Sequence, residues 1–378
     1  MSKKILVFSP YYPPHLGGLE NCADELNLYL TKNGFEVTVL TPRLPKDSLE
    51  KETKYNAVKI WRYPAWEIIP NYPIPCFWNK KCREICRNVF SDKYDWVFSH
   101  TRFFLTSFWA GLYAKKENIR WLHIEHGSDF VKLNSHFKSF LAKLFDWTLG
   151  RWILMSANKV VTVSLASAEF CKQLFSNRKY EVIYRGVELG NFKNNLEIET
   201  KYKDKTKILF VGRLIDGKGV SDLIKAVEKI KKLDWVLLIV GDGPQSENLK
   251  EEVKRFGIGD RVVFLGQIER QKLIGIMNIV DIVVNPSYTE GLPTVIVEAA
   301  KCAKAIVATD VGGTGEIIKD GKSGFLVPAK DVLILSEKIE ILIKNSELRK
   351  QLGQSAKEGV KNKFNWENSI KDYINILK

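Results

Sequence analysis

Short β-branched runs alternate with amphipathic stretches along nearly the whole chain, and this alternation limits the fold more than any other feature. In the first half, Lys4–Phe8, Glu36–Leu40, Val58–Tyr63, Asp95–Ser99, Arg120–Glu125 and Lys159–Val163 read as strands. Helical patterns lie between them, at Asn21–Asn33, Phe104–Lys116 and Phe137–Ala157. The second half repeats the scheme, with strands at Lys207–Val211, Trp235–Val240, Val262–Leu265, Ile282–Asn285 and Ala305–Ala308. Its helices are expected near Val220–Lys232, Gln245–Phe256, Gln271–Asn278 and Pro293–Lys301. A run such as WVLLIV at Trp235–Val240 has no polar residue to turn toward water, so both its faces must be covered, as in a parallel sheet. The expected fold class is therefore α/β, with two doubly wound domains. The polar, charged stretch Asn191–Lys207 separates them, giving domains 1–195 and 196–364. In the closing segment 365–378, Trp366, Ile370, Tyr373, Ile374 and Leu377 are spaced for one buried helix face.

Composition narrows the setting. With 45% apolar residues among 378, disorder and disulfide-stapled miniproteins are excluded. Six cysteines occur without a CxxC pair, which points to a reduced compartment. No apolar run approaches the roughly 18 residues of a membrane span, and the apolar start ends at Ser9-Pro10, short of a secretion signal. A soluble, cytoplasmic protein is expected. The net charge of +14 is uneven: residues 1–195 hold 28 Lys and Arg against 18 Asp and Glu, with eight of the ten tryptophans and all five histidines. Such a half suits anionic partners, whether nucleic acid, phosphorylated ligands or an acidic membrane surface.

In doubly wound sheets, ligands bind beyond the carboxyl ends of the strands, where helix N-termini attract anions. Glycine marks several of the strand-to-helix turns there. Gly17-Gly18 precedes the first helix and suits close approach of a ligand, or simply a turn. GRLIDGKG has Gly212, Gly217 and Lys218 in P-loop spacing, but Gly219 replaces the metal-binding Ser or Thr. Arg213 and Lys218 can hold phosphates there without a metal. Gly241-Asp242-Gly243-Pro244 is half a dinucleotide fingerprint, with Ser246 in place of the third glycine. Gly321-Lys322-Ser323 lacks the leading glycine of a P-loop and reads as a turn.

The turn in NPSYTEGLPTVIVEAAK is the richest. Gly291, Leu292, Pro293 and Thr294 lead into a helix, with Pro293 suited to its first turn. Glu290 before the turn and Glu298 within the helix can grip hydroxyls beside a phosphate; alternatively, one is a helix-end partner and the other a solvated residue. In HIEHGSD, alternation puts His123 and Glu125 on one face and His126 on the other, either toward a ligand or in a structural role. A metal is not expected there, for want of further ligands. Phe137–Ala157, with Lys138, Lys143 and Arg151, suits either a membrane surface or a core position with a basic edge.

Taken in order, FVGRLIDGKGV, IVGDGP, VVFLGQI, SYTEGLPTVIVEAA and GGTGEIIKDGKSGFLVP resemble the family 4 glycosyltransferases, whose GT-B fold sets two Rossmann-like domains facing a cleft. Glu290 and Glu298 match that family's E-x7-E motif. The resemblance implies a nucleotide-sugar donor on the C-terminal domain and a glycan or lipid-linked acceptor on the N-terminal one, with retention of configuration. It implies catalytic roles for Arg213, Lys218, Glu290 and His126, and donor contacts from Gly17, Gly18, Gly291, Leu292, Pro293, Thr294 and Glu298. No cofactor or metal is expected, and the last helix would return to the N-terminal domain. An anionic membrane is a candidate partner at the cytoplasmic face; nucleic acid is not, since no nucleic-acid motif occurs. The family's Asn-Gly-Val-Asp is replaced by Arg185-Gly186-Val187-Glu188. A UDP-sugar 2-epimerase of the same fold is the alternative enzyme, against which the Glu290–Glu298 motif argues.

Overall fold

The computed structural model describes residues 2–15, 17–69, 72–131, 136–190 and 196–378. The chain divides into two compact units, Met1–Arg185 with Trp366–Lys378, and Gly186–Asn365. The first boundary falls before the expected one at 195/196, because residues 186–188 are tied into the second unit. Val187 N donates to Phe364 O at 3.3 Å, and Lys301 Nζ donates to Val187 O. Residues 191–195, where the expected linker begins, lie outside the described residues.

The first unit is built on an eight-stranded sheet in the order Glu181–Val182, Lys159–Thr162, Arg120–Glu125, Trp96–His100, Lys4–Phe8, Glu36–Pro42, Val58–Tyr63, Lys51–Lys54. Every pairing is parallel except that of the polar edge strand Lys51–Lys54, which folds back on Val58–Tyr63 through Tyr55 and Asn56. Its sequence, KETK, has no apolar alternation, so pattern alone does not reveal it. The core gathers Leu6, Phe8, Val97, Trp121 and Ile153. A separate hairpin, Ala65–Ile69 with Tyr72–Pro75, stands apart from the sheet. Helix Trp366–Leu377 lies on helix Gly18–Lys32: Trp366 stacks on Tyr29 at 5.1 Å and donates from Nε1 to Glu25 Oε2 at 2.9 Å.

The second unit has a six-stranded parallel sheet in the order Val262–Gly266, Trp235–Val240, Thr206–Val211, Ile282–Asn285, Ala305–Thr309, Phe325–Val327. Every residue of Trp235–Val240 is buried, as its lack of polar side chains requires. Phe210, Leu237, Ile239, Val284 and Val307 make the core with the covering helices.

Parallel strands put all their carboxyl ends on one edge. In the first unit that edge carries the loops after Phe8, His100 and Glu125; in the second, those after Val211, Val240 and Asn285. The expected single helix 137–157 is instead three pieces: helix His136–Phe145, a π-helical turn Asp146–Gly150, and helix Arg151–Ser156. The wider turn accompanies a buried ion pair between Asp146 and Arg102, an interaction that apolar periodicity cannot signal. Among the described residues, no helix is long and apolar enough to cross a membrane.

Candidate active site

In the second unit, the loop Gly212–Gly219 is held between its two neighbours by backbone contact. Gly219 has φ 64° and caps helix Val220–Lys229; a Cβ there would lie 2.1 Å from the Pro286 carbonyl oxygen. A serine or threonine does not fit, which is why the P-loop pattern stops one residue short. On the other side, Gly241 has φ 130°, and its Cβ would lie 1.9 Å from Gly212 O. The half dinucleotide fingerprint thus serves loop-on-loop packing.

This packing brings Lys218 to Glu290: Nζ meets Oε1 at 2.6 Å, with Asn285 Nδ2 at 3.5 Å from the same oxygen. Arg213 lies exposed on the same loop. Gly291 O accepts from Gly313 N at 3.0 Å, fixing the turn before helix Thr294–Lys301. Leu292 is half-buried beside it, and Pro293 stands just ahead of the helix rather than within its first turn. Glu298 is not solvated: it is buried and ion-paired with Arg270 Nη1 at 2.9 Å. Arg270 Nη2 also donates to Glu188 O at 2.9 Å. Arg270 opens helix Arg270–Ile279 after Gly266, and neither the turn's glycine nor its spacing marks an arginine as the partner of a distant carboxylate. A basic loop, a helix start and two carboxylates along one sheet edge can take a polyhydroxylated anion.

In the first unit, Gly17 and Gly18 open helix Gly18–Lys32, and Glu20 in its first turn meets His15 Nδ1 at 2.6 Å. Arg185, the departure from the family motif, is buried here. It donates from Nη1 to Gly18 O at 3.1 Å and pairs through Nη2 with Glu25 at 3.0 Å, so it positions that helix. His126 Nε2 lies 3.1 Å from His100 Nδ1. Burial pushes the His126 imidazole down to about 4, against the pull of Glu125, so it is neutral at pH 7.

His123 and Glu125 do share a face, 3.4 Å apart. Glu125 also accepts from Gly127 N at 2.7 Å and Arg102 N at 3.0 Å, and pairs with Arg102 Nη1 at 3.1 Å. Burial opposes its charge, but Arg102, His123 and the Gly127 N–H together hold the Glu125 carboxyl far below the usual range. Arg102 in turn reaches Asp146 at 3.0 Å and donates to Asp129 O at 3.2 Å, so one buried guanidinium spans three segments. No local sequence pattern marks Arg102 or Asp146 as partners. The one available signal is that Asp146 is the sole acid in Phe137–Ala157. Among the described residues, no three His, Cys, Asp or Glu side chains are grouped to hold a metal ion.

Several solved structures share this architecture. Sucrose-phosphate synthase of Thermosynechococcus elongatus superposes with a TM-score of 0.84 at 23% identity, over 99% of this chain and 98% of that one. The complex of Anabaena HepE with UDP-glucose gives 0.78 at 20% identity, over 99% of both. The fold is the GT-B class, two Rossmann-like units. The family model described as Glycosyltransferase Family 4 matches residues 16–191, and Glycosyl transferases group 1 matches residues 191–359. An uncharacterized glycosyltransferase of Methanocaldococcus jannaschii is 37% identical over 99% of this chain and 98% of its own length. The chain belongs to glycosyltransferase family 4, and it is a glycosyltransferase.

Proposed function

We propose that the protein moves a sugar from a nucleotide-diphosphate sugar, held by residues 186–365, to a glycan or lipid-linked acceptor received by residues 1–185. The observation that carries this reading is the Lys218–Glu290 contact at 2.6 Å beside Arg213. It sets a phosphate-binding ammonium next to a carboxylate suited to sugar hydroxyls. Similarity to HepE, whose structure was solved with UDP-glucose, supports the donor class. Glu298, oriented by Arg270, suits the ribose hydroxyls, and the turn Gly291–Thr294 the phosphates.

The transfer proceeds with retention and without a metal. The bond from the anomeric carbon to the diphosphate breaks while the acceptor oxygen bonds on the same face, and the acceptor's proton passes to a leaving phosphate oxygen. Arg213 and Lys218 stabilise the charge that grows on the diphosphate. A neutral His126 orients the sugar by hydrogen bonding and carries no charge. Glu290 and Asp129 are the alternatives that a double displacement would require as nucleophile. The setting is the cytoplasm, at a membrane surface where acceptors for cell-surface polysaccharide are assembled.

The test is the anomeric configuration of the product, read by NMR coupling at the anomeric proton. An α-linked donor should give an α-glycoside. A β-product refutes retention, and a trapped glycosyl-enzyme refutes same-face attack.

A further inference from the structure

The segment His136–Ser156 presents an apolar face to solvent. Phe137 is 67% exposed, Phe140 62%, Leu144 49% and Trp147 41%, with Leu141 also exposed. At roughly 100° per residue, Phe137, Phe140, Leu141 and Leu144 fall within an arc of about 100°. Ala142 and Asp146, on the opposite side, are buried. Lys138 and Lys143, both exposed, stand roughly 110° to either side of the stripe, and exposed Arg151 follows.

A second element joins it. On and after the hairpin, Trp66 and Trp78 are 51% and 59% exposed, and their rings meet at 5.1 Å. Tyr72 of the hairpin touches Phe103 at 5.4 Å, and Phe103 touches Phe145 of the helix at 5.4 Å. Lys80 and Lys81, both exposed, follow Trp78.

We propose that this face, the Phe137–Trp147 stripe together with the Trp66–Trp78 corner, docks on an anionic lipid bilayer. The helix is too short to span a membrane, so its stripe lies in the interfacial plane. Lysines on both flanks suit headgroups, with their stems along the apolar boundary. A protein partner is less suited, since lysine is depleted from protein interfaces. Tryptophan favours the membrane–water boundary. The excess of 28 basic over 18 acidic residues in 1–195 complements anionic lipid. The proposal rests on the lipid-linked acceptor only for its purpose; docking itself needs neither donor nor acceptor.

Flotation of the full chain with phosphatidylcholine vesicles, with and without phosphatidylglycerol, tests it. The wild type should float with the anionic vesicles at low salt and be released at high salt. Phe140→Glu with Leu144→Glu, both at exposed positions, should weaken partitioning at least about tenfold while circular dichroism and melting stay unchanged. Absence of the wild type from anionic vesicles, or undiminished binding by the double variant, overturns the proposal. So does a wild-type dimer that ignores vesicles and becomes monomeric in the double variant, which would make the face an interface between copies. Donor binding measured in parallel separates the two readings. Its loss with vesicle docking intact would strike the transferase assignment alone.

Discussion

At the carboxyl edge of the second sheet, neighbouring loops touch through backbone, Gly219 against the Pro286 carbonyl and Gly241 against that of Gly212. At the same edge of the first sheet, buried charges hold the loops. Arg102 ties Glu125 and Asp146 together, and Arg185 ties Glu25 to the opening of helix Gly18–Lys32. The two solutions differ in the trace they leave. A backbone contact admits only glycine, so it writes glycines at fixed spacing into a short stretch of sequence. An ion pair joins residues far apart and leaves no local pattern.

The contrast breaks most sharply at Arg102. Arg102→Ala strands Glu125 and Asp146 as buried charges without their cation, and should cost about 3–5 kcal/mol of stability in denaturant unfolding. A loss under about 1 kcal/mol would show that the buried network does not hold this edge. In the second unit the matching break is Gly219→Ser, which would complete the P-loop pattern. At φ 64° and against Pro286 O, it should instead destabilise by about 1–3 kcal/mol. Stability equal to wild type, with a new dependence on Mg²⁺, would count against the close contact.

These two positions also mark what was legible. The doubly wound fold could be read because runs such as Trp235–Val240 have no polar face, and the close-packed loops at the second sheet's carboxyl edge because Gly212, Gly219 and Gly291 punctuate them. The edge strand Lys51–Lys54, the break at Asp146–Gly150 and the Arg102 cluster could not. Their causes are a polar hairpin pairing and ion pairs between distant residues, which no window of sequence contains. Arg270 falls between these cases: its place at a helix start was visible, its partner Glu298 was not.

A smaller effect separates the histidines from the lysine site. The His126 imidazole is pushed down to about 4 by burial, against about 6.5 in an unfolded chain. The unfolded state therefore takes up the proton first. Its contribution to stability is whole above pH 6.5 and is lost as pH falls from there toward 4. His126→Asn should flatten part of that fall in melting temperature. An unchanged pH profile would place the ring in a more solvated setting.

Arg213 and Lys218 are proposed to hold the donor's diphosphate without a metal. Calorimetric titration of UDP, GDP and ADP in EDTA, into the wild type and into Arg213→Ala and Lys218→Ala, tests it most directly. At least one nucleotide should bind the wild type, and each alanine variant should weaken it about tenfold or more, as loss of a charge-assisted hydrogen bond requires. Binding that appears only with Mg²⁺ or Mn²⁺, or that is equal in both variants and the wild type, would contradict the account.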